Sequence, residues 1–147
     1  MSRLKQPLLL VVLALSLGAA FGPAHGAPSD RSSVVGTVGY RHRIALPADA
    51  VVTVSLQDTT LADAPARTVG ETTIETKGAQ VPIPFRIDYD PAAIDASHAY
   101  SVRATFTAGG NLLFTSTTSY PVLTRGAGNE AAIIVYILLP ADTAKGK

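Results

Sequence analysis

From Ser32 onward apolar side chains recur at every second position, and this alternation admits a strand with one buried and one wet face and little else. Tyr100, Val102, Ala104 and Phe106 alternate with Ser101, Arg103, Thr105 and Thr107. Val52, Val54 and Leu56 alternate with Thr53, Ser55 and Gln57. Val81, Ile83, Phe85 and Ile87 form a third set. Val34, Val38, Tyr40 and Ile44 are expected on one face of a first strand, with Arg41 and Arg43 on the other. Leu112 and Phe114 open a threonine-rich strand, and Ala131 to Leu139 form the last. Arg67 to Thr76 reads as one more strand. Its apolar residues Val69 and Ile74 fall out of phase, which predicts a bulge near Gly70.

Turn chemistry separates these segments. Ala45-Leu46-Pro47-Ala48-Asp49-Ala50 links the first two, Lys77-Gly78 precedes the third set, and Gly109-Gly110-Asn111 predicts a tight hairpin. Pro82 and Pro84 remove two N–H groups from the same side of one strand, so that strand is expected at a sheet edge or changing sheets. Asp90-Pro91-Ala92-Ala93-Ile94-Asp95 crosses over ahead of Tyr100. This matches a tyrosine corner, in which the phenol bonds backbone a few residues upstream. About seven strands without a helix predict an all-β fold, a single Ig-like antiparallel β-sandwich over residues 34–140.

The amino end reads as an export signal. Arg3 and Lys5 precede the apolar run Leu8 to Ala20, Pro23 breaks it, and Ala24-His25-Gly26 offers small residues for cleavage between Gly26 and Ala27. The run is shorter than the ~20 residues that span a bilayer, so residues 1–26 are expected to be removed. A flexible leader over 27–33 and a disordered tail over 141–147 complete the division. After cleavage 10 basic residues face 11 acidic ones, a balance that disfavours nucleic acid and anionic membrane as partners. The longest basic cluster is Arg41-His42-Arg43. The chain contains no cysteine, so it forms no disulfide and relies on its core. A soluble location, periplasmic or secreted, is expected.

The residues offer little chemistry. No serine sits in a strand-to-helix elbow, and no glycine-rich loop opens a helix. An enzyme would have to unite His42 or His98 with Asp88, Asp90 or Asp95 in one pocket. The three aspartates lack the glycine-containing spacing of a calcium loop and read instead as turn and cap residues, as do Asp58 and Asp63. A small ligand between the sheets is the alternative to a binding surface, but the dense aliphatic alternation predicts a filled core. No cofactor or metal is expected, and the chain is not expected to be an enzyme.

One stretch departs from the half-polar pattern. Ala131 to Leu139 is apolar on both faces. Either both faces are covered within the domain, which is the expected state, or one awaits a partner. In the second case Ile133, Ile134, Val135, Tyr136, Ile137, Leu138 and Leu139 form the candidate partner-binding strand.

Two long blocks, IALPADAVVTVSLQDTTLADAPA from Ile44 and VPIPFRIDYDPAAIDASHAYSVRATFTAGGNLLF from Val81, are similar to the YbaY-like envelope lipoproteins, grouped with the YscW-type lipoprotein chaperones (pilotins) of type III secretion systems. The resemblance covers about Val34 to Leu139. It implies a β-sandwich in the bacterial envelope without catalysis. For the pilotin branch it implies another envelope protein as partner, a secretin-like outer-membrane protein. The sequence departs from that pattern in lacking the cysteine that would carry a lipid. The resemblance carries over no catalytic or ligand residue.

Overall fold

The computed structural model describes residues 32–138. The expected signal peptide, most of the expected leader, Leu139, Pro140 and the expected tail lie outside them. Ser32 and Ser33, read as leader, already belong to the first strand, opposite Tyr89 and Asp88. Nine strands follow in chain order: β1 Ser32–Gly39, β2 Val51–Asp58, β3 Arg67–Glu75, β4 Ile83–Tyr89, β5 Tyr100–Ala108, β6 Asn111–Thr115, β7 Tyr120–Val122, β8 Glu130–Ile134 and β9 Tyr136–Ile137. A 3-10 turn over Pro91–Ala93 is the one helical element among the described residues.

The strands form two sheets. The smaller has the order β4-β1-β8, and the larger β3-β2-β5-β6-β9, with β7 pairing β5 beyond β6. The sheets close on one core. Val34, Val38, Ile83, Phe85, Ile87 and Ile133 meet Val52, Val54, Leu56, Val102, Phe106 and Val122, all buried. β4 shows the underlying pattern most cleanly, with Ile83, Phe85 and Ile87 buried and Pro84, Arg86 and Asp88 exposed between them. Apolar burial of this kind contributes about 25 cal/mol per Å² and is the main force holding a disulfide-free domain together.

The turn and edge expectations hold where they can be followed. β4 is an edge strand, as its prolines require; Pro84 lies within it and Pro82 just ahead of it, after a cis Val81–Pro82 bond. The β2–β3 register shifts where Gly70 opposes Leu56 and Thr68 opposes Gln57, leaving Val69 as the extra residue of the bulge. Gly109 and Gly110 have φ of 55° and 78°, so the β5–β6 hairpin closes on two residues that tolerate the left-handed region. The Tyr100 hydroxyl accepts the Asp95 N–H at 2.9 Å, and its proton points to the Ala93 carbonyl at 3.5 Å.

Three features differ from the sequence reading. The first strand ends at Gly39, not Ile44: the Tyr40 hydroxyl donates to the Ile44 carbonyl at 2.6 Å and closes the chain into a loop, so His42 lies on no strand. The threonine-rich segment breaks at residues 116–119 into β6 and β7. The last apolar stretch divides at Val135 between the two sheets, and β8 runs parallel to β1, which departs from an all-antiparallel pattern. That division is why both faces are apolar: Val135 is fully buried at the corner and its N–H donates to the Gly39 carbonyl at 2.9 Å. Tyr120 on β7 pins the corner. Its hydroxyl accepts the Ile134 N–H at 2.8 Å and donates to the Ile134 carbonyl at 3.1 Å, joining one sheet to the other.

Candidate functional site

An open groove of about 630 Å³ runs along the β6–β9 edge of the larger sheet. Leu112, Phe114, Ile137, Leu138, Ile44 and Pro47 are its main walls. Each part is held by identifiable contacts. The loop after β1 is anchored by Leu46, which is buried. The Gln80 side chain accepts the Leu46 N–H at 2.8 Å and donates to the Leu46 carbonyl at 3.3 Å. This clamp and the Tyr40 bond to Ile44 leave Ile44 and Pro47 facing the groove. Tyr40 also stacks on Phe114, with ring centroids 4.7 Å apart, and both pack edge-on against Phe106.

The far wall comes from β9. Ile137 opposes Phe114 across the ladder, and the Leu138 N–H donates to the Leu113 carbonyl at 3.0 Å. β9 is two residues long and covers Phe114, 2% exposed, whereas a bulge at Leu113 turns Leu112 to the face of Thr107, where it is 47% exposed. Ile44, Ile137 and Leu138 are 47%, 37% and 41% exposed. Four of the six exposed large hydrophobic residues among those described therefore share one groove, and Tyr136, a fifth, adjoins it in β9. Clustering of this kind marks an interaction site, whereas scattered exposed apolar residues are ordinary.

The candidate strand is split by this arrangement. Ile133 and Val135 are core residues, and Ile134 is half-buried under the Tyr120 clamp. Tyr136, Ile137 and Leu138 are open, and Leu139 lies outside the described residues. Sequence reasoning missed Ile44, Pro47 and Leu112. The alternation predicts Ile44 on a strand face, whereas it lies in the loop after β1. Leu112 and Phe114 share a phase in the sequence, but a bulge at Leu113 sets Phe114 opposite Phe106 and Leu112 opposite Thr107, so they leave the sheet on different faces.

The polar candidates are spread over the molecule. His42 sits beside the groove, its ring 6.4 Å from that of Phe114. Asp88 pairs with Arg86 on the outer face of β4 at 2.8 Å, and Asp90 caps the 3-10 turn by accepting the Ala92 N–H at 2.9 Å. His98 does meet carboxylates, at the end of the sheet where β2 stops and β5 begins. Its Nδ1 lies 2.7 Å from Asp58 Oδ2, and Asp95 is close by. The neighbouring hydroxyls are already used: Ser97 donates to Asp95, and Thr60 donates to Asp58 while accepting the Ala99 N–H. Asp63 is an exposed loop residue. Among the described residues no group of three or more His, Asp or Glu is placed to hold a metal ion.

The Asp58 cluster makes a structural prediction. The Thr60 hydroxyl and N–H, with a smaller contribution from His98, lower the Asp58 carboxyl from 3.8 to about 2. Asp95 is also lowered, chiefly by the Ser97 hydroxyl and N–H. An unfolded chain binds these protons first as pH falls. The stability they contribute is therefore complete above pH 4 and is lost between about pH 4 and about 2. Unfolding midpoints measured across that range should fall less steeply for Asp58→Asn than for the wild type. Parallel curves would show that the cluster plays no part in acid stability.

Comparison with known proteins agrees with the β fold. Residues 29–135 match the family described as type III secretion system lipoprotein chaperone (YscW). The chain is 36% identical over 111 residues to the uncharacterized lipoprotein YbaY of Escherichia coli (strain K12), an alignment covering 76% of this chain and 56% of that protein. It thus spans little more than half the length of that relative. The solved structure of an alternative pilotin from the type II secretion system of Vibrio cholerae matches with a TM-score of 0.73 and 43% identity, over 75% of this chain and 99% of that one. The chain belongs to the YscW family of secretion-system lipoprotein chaperones. No helix among the described residues is long and apolar enough to cross a membrane.

Proposed function

We propose that the protein is a non-catalytic binding module of the bacterial cell envelope, which holds an apolar segment of another envelope protein in the β6–β9 groove. The occupant we favour is a secretin-like outer-membrane protein. Membership of a lipoprotein chaperone family and likeness to a pilotin support the role. The observation that carries the site is the convergence of Ile44, Leu112, Ile137 and Leu138, all exposed, on one groove. Export through cleavage after Gly26, giving a soluble periplasmic form, is part of this reading; the basic start, the apolar run and the absence of cysteine support it.

The test is affinity capture from cross-linked envelope with the wild type and Leu112→Glu side by side. Leu112 is half exposed, so the change should leave the unfolding free energy within about 0.5 kcal/mol of wild type. An outer-membrane protein captured by the wild type and lost with Leu112→Glu is expected. The wild-type bait recovered from the envelope should itself begin at Ala27 by intact mass. The same proteins recovered with both variants, or none with either, would remove the groove from consideration.

A further inference from the structure

The loop beside the groove is basic. The loop from Tyr40 to Ala45 runs along it, with Tyr40 stacked on Phe114, His42 beside that ring, and Ile44 and Ala45 in the wall. Arg41 and Arg43 flank His42, and both are exposed. Among the described residues neither arginine takes part in an ion pair, the two pairs present being Arg86–Asp88 and His98–Asp58. None of the groove-lining residues is acidic. Asp49, in the adjoining turn, is engaged by the Gly109 N–H at 3.0 Å. The loop that supplies Ile44 and Ala45 to the apolar trough thus also carries two exposed arginines outside any ion pair among the described residues. Guanidinium is weakly hydrated and presents donors in a planar fork that fits a carboxylate in bidentate fashion.

We infer that the groove selects a segment in which apolar residues stand next to carboxylates, the apolar side chains entering between Ile44, Leu112 and Ile137 while Asp or Glu meets Arg41 and Arg43. This rests on the protein-binding reading of the same site and adds the chemistry of the ligand. An anionic lipid surface fits less well. Polybasic attachment uses clusters of about 4–8 Lys or Arg, whereas this loop has two beside a shaped apolar trough. The arginines contribute orientation and capture rate, and the trough contributes the apolar burial.

A photo-reactive phenylalanine analogue at Asn111, an exposed residue of the groove, reads out the occupant directly. Irradiation of whole cells followed by mass spectrometry should map adducts to a segment with Asp or Glu within about four residues of the cross-linked position. A synthetic peptide of that segment should bind R41E/R43E at least tenfold more weakly than wild type at low salt, and the gap should narrow as salt rises. Lysine in place of the peptide's acidic residues should restore binding to R41E/R43E, which a folding defect would not allow. A neutral or basic adduct segment, or equal affinity for both proteins, would overturn the inference while leaving the groove assignment standing. No adduct, together with capture unaffected by Leu112→Glu, would remove both. Arginine-dependent flotation with phosphatidylglycerol vesicles in place of peptide binding would overturn it in favour of a lipid surface.

Discussion

Replacing Gly36 with valine is expected to leave the domain largely unfolded, and alanine is expected to destabilise it severely. Gly36 opposes Phe85 on one side and Ala131 on the other. A Cβ at this position would lie 1.8 Å from the Ala131 carbonyl oxygen, 2.8 Å from its carbonyl carbon and 3.0 Å from Phe85 Cε1, and real Cβ atoms essentially never come within 3.0 Å of such neighbours. The obstacle is backbone, so no rotamer change relieves it. β8 must move off β1, which breaks the parallel ladder from Val35–Glu130 to Gly39–Ile134 and withdraws Ile133 and Val135 from the core. Losing the burial of those two side chains alone costs roughly 3–6 kcal/mol, against a typical total stability of about 5–15. Gly39→Ala, where the added methyl meets open space, is the control. Denaturant unfolding followed by circular dichroism should separate the two variants by several kcal/mol. A Gly36→Ala protein with the midpoint of the wild type would show that the close approach of β1 and β8 is not required.

The second large effect is at Phe114. Its ring is buried, stacked on Tyr40 and edge-on to Phe106 at 5.9 Å. Phe114→Ala removes this ring and leaves a cavity that the neighbouring strands can only partly close, a change that costs about 3–5 kcal/mol. It also takes away the surface against which Tyr40 and His42 lie, so the loop carrying Arg41, Arg43 and Ile44 loses its seat. Stability and partner capture should fall together in this variant, whereas Leu112→Glu separates them. Capture surviving in Phe114→Ala at a temperature where the protein remains folded would mean that the aromatic cluster serves the core alone.

The strands with a dry and a wet face were legible from residue types. β4 and β5 have the phase their sequences predict, the bulge falls where Val69 and Ile74 lose step, and Tyr100 bonds the backbone upstream as a corner tyrosine does. Long-range partners were not. Nothing local states that Glu130–Ile134 will run parallel to β1 or that the apolar run will be cut at Val135, because those outcomes depend on which sheet edge is vacant. The groove was hidden for the same reason. The stretch with the most apolar sequence supplies both core and surface. The exposed partners Ile44 and Leu112 come from segments whose pattern looks like ordinary strand. The Asp58–His98 contact joins residues 40 apart and has no sequence signature.

The division of the last strand bears on when the molecule becomes complete. β1 is the first strand made, yet one of its two neighbours, β8, begins nearly a hundred residues later, where Asn129 already donates to the Ser33 carbonyl across a separation of 96. Folds closed by such distant pairs form slowly, because the chain is ordered before the contacts reward it. Here the residues directly after β8 place Ile137 and Leu138 in the groove. The stretch that closes the small sheet on β1 thus also builds one wall of the groove, so the groove takes shape only once β1 has found its distant neighbour.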